Sequence, residues 1–312
     1  SSDIRHYYSI EKEAPMTFSP DAEYPLVNTE KGRFPGHFTA GFEASDALPR
    51  LVSIKAGTKV NVVPGKAKAA VEGFEMAALE KAAAETKEET GISFEFAAEG
   101  TVTEITATGI GAHASTPDVG NNALTGLLVF LGKLDFASCP QVDMVRKTAS
   151  LFPHGDVNGK TLGVAMEDEL SGNLTLSFNM LTVDAASMDG EFDGRIPVCG
   201  NDENVLEVVR ARMAEQGLTL LNKALIPPHH VSADSYFVKT LLAAFELYTG
   251  RKGECQALGG GTYVHHLENG VAFGAAMPET DNKMHGPDEF AVVDELLVSA
   301  KIFAQAIVDL CG

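Results

Sequence analysis

A few residues in this chain have the type and setting to do chemistry. In Gly109-Ile110-Gly111-Ala112-His113-Ala114-Ser115-Thr116-Pro117 one imidazole lies among small residues at the end of an expected strand. Small neighbours let the ring stand clear of the backbone and let a substrate come close, although a surface-loop histidine fits the same composition equally well. His285, in Lys283-Met284-His285-Gly286-Pro287-Asp288-Glu289-Phe290, sits in a polar loop just before a helix. A metal ligand would be well placed there, while a capping or surface role fits a single histidine better. Prolines on both sides of Asp21, in Ser19-Pro20-Asp21-Ala22-Glu23-Tyr24-Pro25, stiffen the loop around a carboxylate. A rigid carboxylate suits a hard or borderline cation, and an ordinary turn aspartate looks the same.

Two further segments could hold an anion. The glycines of Gly259-Gly260-Gly261-Thr262-Tyr263 allow backbone N–H groups to converge, but no Gly-Lys-Ser/Thr follows, which argues against a nucleotide phosphate loop. A tight strand-to-helix turn accounts for them equally. Arg195, in Asp193-Gly194-Arg195-Ile196-Pro197, lies on an expected strand, where a planar guanidinium can clamp a carboxylate through two hydrogen bonds. Alone, it reads as a surface ion pair.

These residues need elements to position them. Pro15, Pro20 and Pro25 predict a looped path with short extended pieces, not a helix, over residues 1–30. Strands are expected at 51–54 and 69–71, with an extended piece at 60–63 between them, and a helix at 74–86, rich in Ala, Glu, Lys and Leu. Residues 93–99 and 101–108 alternate around Gly100 as a hairpin does. Helices follow at 121–134 and 142–151, then strand partners at 173–184 and 188–198, an amphipathic helix at 203–216 stopped by Gly217, and a strand at 218–225. Strands and helices are mixed, with antiparallel neighbours, so 30–226 reads as an α+β layer closed by Pro227-Pro228. Beyond it come a helix at 235–248, a strand near Glu254, the glycine turn, a strand at 271–275 and a last helix at 292–310. That alternation reads as α/β with parallel strands, some of them supplied from elsewhere.

Composition narrows the classes. With 45% hydrophobic residues over 312 positions, the chain can bury one or two sizeable cores. A net charge of −19 repels nucleic acid and anionic membrane. Apolar runs such as 123–131 are far shorter than the ~20 residues of a membrane-spanning helix, so no membrane partner is expected and the chain reads as soluble and cytoplasmic. Cys139, Cys199, Cys255 and Cys311 are isolated and read as reduced thiols.

In order along the chain, Pro20-Asp21-Ala22-Glu23-Tyr24-Pro25, Val60-Asn61-Val62-Val63-Pro64 with Ala67, the segment around His113, Asp193-Gly194-Arg195-Ile196-Pro197, the Gly259–Tyr263 turn and the His285 loop resemble the M20 metallopeptidases. Within these they are most similar to the PepV/Sapep-type dipeptidases, and the likeness covers essentially the whole chain. It implies an α/β fold: a partial catalytic α/β domain carrying a large inserted α+β lid. Residues 1–29 would belong to the catalytic domain, 30–228 to the lid and 229–312 to the C-terminal part of the catalytic domain. It also implies two divalent metal ions, zinc or manganese, with Asp21 a ligand of one and His285 of the other. His113 would reach from the lid and donate to the oxyanion of a tetrahedral intermediate. Asn61 and Arg195, helped by the backbone at Gly260 and Gly261, would bind the free C-terminal carboxylate of a dipeptide.

The resemblance places the family's His-x-Asp segment, its bridging Asp and its Glu-Glu pair upstream of Ser1. Glu88-Glu89, at the end of an expected helix, reads as solvated surface. On that expectation the 312 residues alone would be an inactive fragment that binds metal weakly. Two other functions stay open: an N-acyl amino acid deacylase of the acetylornithine deacetylase-like kind, and a non-catalytic lid or dimerisation module. An enlarged lid implies a monomer, with a dimer left open.

Overall fold

The structure, a computed structural model, describes residues 2–283 and 288–312. It divides into two compact units. One comprises Ser1–Gly32, Asp168–Ser171 and Pro228–Gly312; the other comprises Arg33–Glu167 and Gly172–Pro227.

The second unit is built on an eight-stranded sheet. Its strand order is Thr219–Leu220, Gly32–Gly41, Ser187–Ile196, Thr175–Val183, Arg50–Ala56, Lys66–Glu72, Val102–Thr108 and Ser93–Glu99. Alternation explains why these segments pair as they do. On Ser187–Ile196 the residues Met188, Phe192 and Ile196 enter the hydrophobic core, while Asp189, Glu191, Asp193 and Arg195 occupy the alternate positions. The core is closed by helix Ala123–Gly132, where Leu124, Leu127 and Phe130 are fully buried. Burying each such side chain contributes roughly 1.5–3 kcal/mol. Asn122 caps that helix by accepting from the N–H groups of Leu124 and Thr125, at 2.9 and 3.2 Å.

Three glycines set the register of Gly32–Gly41 against Ser187–Ile196. A Cβ on Gly36 would run into the Phe192 ring and one on Gly190 into the Phe38 ring, while one on Gly194 would lie 3.2 Å from Phe34 Cβ. The Phe192 and Phe38 rings lie over the glycines facing them and Phe34 meets Gly194 through its Cβ, so 34 faces 194, 36 faces 192 and 38 faces 190. The same register puts Arg33 opposite Arg195.

The first unit holds a five-stranded sheet of mixed direction. Thr17–Ser19 runs parallel to Gly270–Ala272, which is antiparallel to Leu26–Glu30; that strand also pairs with His229–His230 and, in parallel, with Cys255–Leu258. Helices Tyr236–Thr249 and Val293–Cys311 supply Phe237, Phe245, Ile302 and Ala306 to a core centred on Tyr24 and Phe273. The Tyr24 and Phe273 rings meet edge to face at 5.2 Å between centroids.

Several expectations need correction. Residues Ser2–Ile10 form a helix where a looped path was expected, because all three prolines lie beyond it and leave its N–H groups intact. The strand expected at 218–225 is only Thr219–Leu220, and the one at 271–275 is Gly270–Ala272, with Ala275–Ala276 pairing separately to Ala22–Glu23. The C-terminal strands join a mixed sheet and not an all-parallel one. Among the described residues, no helix is long and apolar enough to cross a membrane.

Candidate functional site

The second unit brings His113, Asn61 and Arg195 into one region. Ala112–His113 pairs antiparallel with Val62–Val63, with His113 opposite Val62, and the Ala114 N–H donates to the Asn61 carbonyl at 3.0 Å. Glycine permits this close approach: a Cβ on Gly65 would lie 3.0 Å from the Gly111 nitrogen. The paired segments are fastened to the large sheet by Asn179, whose Nδ2 donates to the Val60 carbonyl while its Oδ1 accepts from the Ser177 hydroxyl.

The hydrogen bonds of His113 assign its tautomer. The Ser115 N–H donates to Nδ1 at 3.2 Å, and Ser115 Oγ lies 2.7 Å from the same atom. A ring nitrogen that accepts from a backbone N–H carries a lone pair there, so in neutral His113 the proton resides on Nε2. That makes Nε2 a donor, as stabilisation of an oxyanion requires.

Arg195 and Asp193 are both 5% exposed. Arg195 donates through Nε and Nη2 to the two carboxylate oxygens of Asp193, at 2.5 and 3.0 Å, and this two-point bond fixes the guanidinium plane. Burial pushes the Asp193 carboxyl up; the opposing pull comes from Arg195 first, then from His113 and Arg33. One carboxylate therefore stands amid three groups able to carry positive charge. Burial still prevails over their combined pull, and the carboxyl stands above its ordinary range. A cavity of about 400 Å³ in this unit is lined by Leu128, Leu131, Val142, Val145 and Phe152 and contains none of these groups.

In the first unit, the Gly259–Thr262 turn leaves strand Cys255–Leu258 beside Glu30, which pairs with Leu258. The buried Glu30 carboxylate accepts from the Thr262 N–H at 3.1 Å and its hydroxyl at 2.6 Å, and lies 2.7 Å from His265 Nδ1. Burial alone would raise the Glu30 carboxyl, but the hydrogen bonds from His265 and Thr262 outweigh it and bring the group below the usual carboxylate range. Glu30 thus ties the glycine turn to the sheet. Gly261 lies against this pair: a Cβ there would be 3.4 Å from His265 Nδ1 and 3.5 Å from Glu30 Oε2.

Asp21 is exposed and immediately precedes Ala22–Glu23; the Ala22 N–H donates to the Gly274 carbonyl at 2.8 Å. Ser19 and Val27 are both level with Ala272, whereas Leu258 is level with Glu30. The strand before Asp21 and the strand before the glycine turn therefore run out toward opposite ends of Leu26–Glu30, their last residues level with Val27 and Glu30, three residues or about 10 Å apart at ~3.3 Å per residue. His285 lies outside the described residues. Among the described residues no group of three or more His, Cys, Asp or Glu side chains could hold a metal ion. They do not by themselves fit a two-metal centre.

Arg33, Asp193, Glu30 and His265 were not singled out from sequence. Asp193 had a signal, since opposite charges two apart on an alternating strand share a face. Arg33 had none, because its place opposite Arg195 depends on strand register.

With the geometry in place, the comparisons give first a fold and then relatives. The chain shares the fold of the aminoacylhistidine dipeptidase from Vibrio alginolyticus, with TM-score 0.52, 12% identity and coverage of 97% of this chain and 67% of that one. In sequence it is similar to the YtjP protein of Bacillus subtilis, 34% identical over 98% of this chain, and to the Beta-Ala-Xaa dipeptidase of Lactobacillus delbrueckii subsp. lactis, 32% identical over 98%. The chain spans 66% and 65% of the length of these two relatives. No family model matches it.

Proposed function

We propose that this chain belongs to an M20-type metallopeptidase of the PepV/Sapep kind that hydrolyses dipeptides, with the second unit acting as the lid that grips the substrate's free carboxylate. The observation that carries this reading is the buried Asp193–Arg195 pair in a region shared with His113 and Arg33. A guanidinium already fixed in plane loses little freedom when it takes a second carboxylate. Asn61, beside His113, adds a side-chain amide donor. In this reading His113 Nε2–H donates to the oxygen that gains charge as the peptide carbonyl becomes tetrahedral.

In the first unit, Glu30 accepts from Thr262, the residue that follows Gly260-Gly261, at one end of Leu26–Glu30, and the strand leading to Asp21 runs out toward the other end. Support from relatives comes from the similarity to a Beta-Ala-Xaa dipeptidase. Zinc or manganese belongs to the reading through Asp21 and His285. The described residues form no metal site, so the chemistry derived for this chain is binding, orientation and the proton on His113 Nε2.

The alternative of an N-acyl amino acid deacylase uses the same carboxylate grip, because its substrate also ends in a free carboxylate. The test of the grip is Arg195→Met in the full-length protein, assayed on a free-acid dipeptide. KM should rise ~10–100-fold with a smaller change in kcat, as expected when a charge-assisted bidentate contact is lost. An unchanged KM would remove Arg195 from the substrate site.

A further inference from the structure

We propose that Arg33 and Thr175 complete the carboxylate pocket around Arg195, so that the substrate's terminal carboxylate is held between two guanidinium groups. This rests on the dipeptide reading and extends it to residues that the sequence motifs leave out. Three observations converge. First, register: glycine–phenylalanine packing places Arg33 opposite Arg195 on one neighbouring strand, and Thr175 pairs directly with Arg195 on the other. Residues opposite one another on adjacent strands point to the same face, so Arg33, Arg195 and Thr175 form a row across three strands. Second, electrostatics: Arg195 holds the Asp193 carboxylate through two hydrogen bonds, and Arg33 on the neighbouring strand is near enough to pull on the same carboxyl.

Third, unmet hydrogen bonding. Arg33 Nε and Thr175 Oγ1 are both buried, and neither has a hydrogen-bond partner among the described residues. A buried donor left without a partner costs about 1–3 kcal/mol, so two in one row need an explanation. A bound carboxylate supplies it: its two oxygens offer about four lone-pair sites, enough for contacts from both flanks of the row.

The row should therefore make the protein distinguish a free carboxylate from its neutral amide. The experiment compares kcat/KM of the full-length protein on alanyl-alanine and on alanyl-alanine amide. In the wild type the free acid should be preferred. Arg33→Met should reduce the acid-to-amide ratio at least tenfold, mainly through KM on the acid, and Arg33→Lys, which keeps a charge but not the planar fork, should recover part of it. Thr175→Val should lower the ratio a few-fold without lowering the unfolding midpoint, because it removes an unsatisfied hydroxyl. Circular dichroism confirms that each variant is folded, and Thr175→Val with Arg33→Lys decides the matter if Arg33→Met does not fold. A wild type that prefers the acid while these variants keep its ratio overturns the role of the row and leaves the dipeptidase reading standing. A wild type that treats acid and amide alike overturns both.

Discussion

Glu30 shows how a single side chain can serve position and not chemistry. Its carboxylate is buried, yet the bonds from His265 and Thr262 hold it below the usual carboxylate range. A carboxyl with a lowered folded-state pKa contributes stability that is present above its unfolded value and lost as pH falls through the folded value. Glu30→Gln should therefore lower the urea midpoint most near neutral pH, and the gap from wild type should narrow as the pH drops below 4.5, the ordinary value for the group. Unfolding curves between neutral and acid pH check this, and a gap constant across that range would contradict it. The same scale shows what sequence can reveal. His113 and Arg195 are visible in short motifs, whereas Glu30 looks like one acid among 43 acidic residues until the fold buries it.

At the scale of elements, amphipathic and alternating segments were legible. Helix Met76–Thr90, the hairpin around Gly100 and the pair Thr175–Val183 with Ser187–Ile196 stand close to where their patterns put them. Strand Gly32–Gly41 was not, because Gly32, Pro35, Gly36 and Gly41 read locally as turn residues. What makes it a strand is across the sheet, where the Phe192 ring fills the space a side chain at Gly36 would take. Register information of this kind is absent from any one segment, and Arg33 went unseen for the same reason. Gly36→Ala should destabilise the second unit by about 1–3 kcal/mol, the usual cost of forcing volume into a packed core. Chemical denaturation followed by near-ultraviolet circular dichroism measures it. A variant as stable as wild type would mean that the Phe192 ring has room to move and that the register rests on something else.

For the molecule as a whole, the proposed carboxylate grip lies on a strand face of the second unit, and the first unit is organised separately around its mixed sheet and a glycine turn fastened by Glu30. The mixed fold and the likeness to dipeptidases agree with the family resemblance visible in the sequence. The ligands of a metal centre could not be read from the described residues. The central claim is that the protein selects short peptides by their free carboxylate. Its most direct test is steady-state hydrolysis by the full-length protein, with zinc or manganese supplied, of a dipeptide, the same dipeptide amidated at its C-terminus, and an N-acetyl amino acid. The account predicts rapid cleavage of the free dipeptide, at least tenfold weaker kcat/KM on the amide and slower turnover of the N-acetyl compound. Equal hydrolysis of dipeptide and amide, or turnover of the N-acetyl amino acid alone, would contradict it.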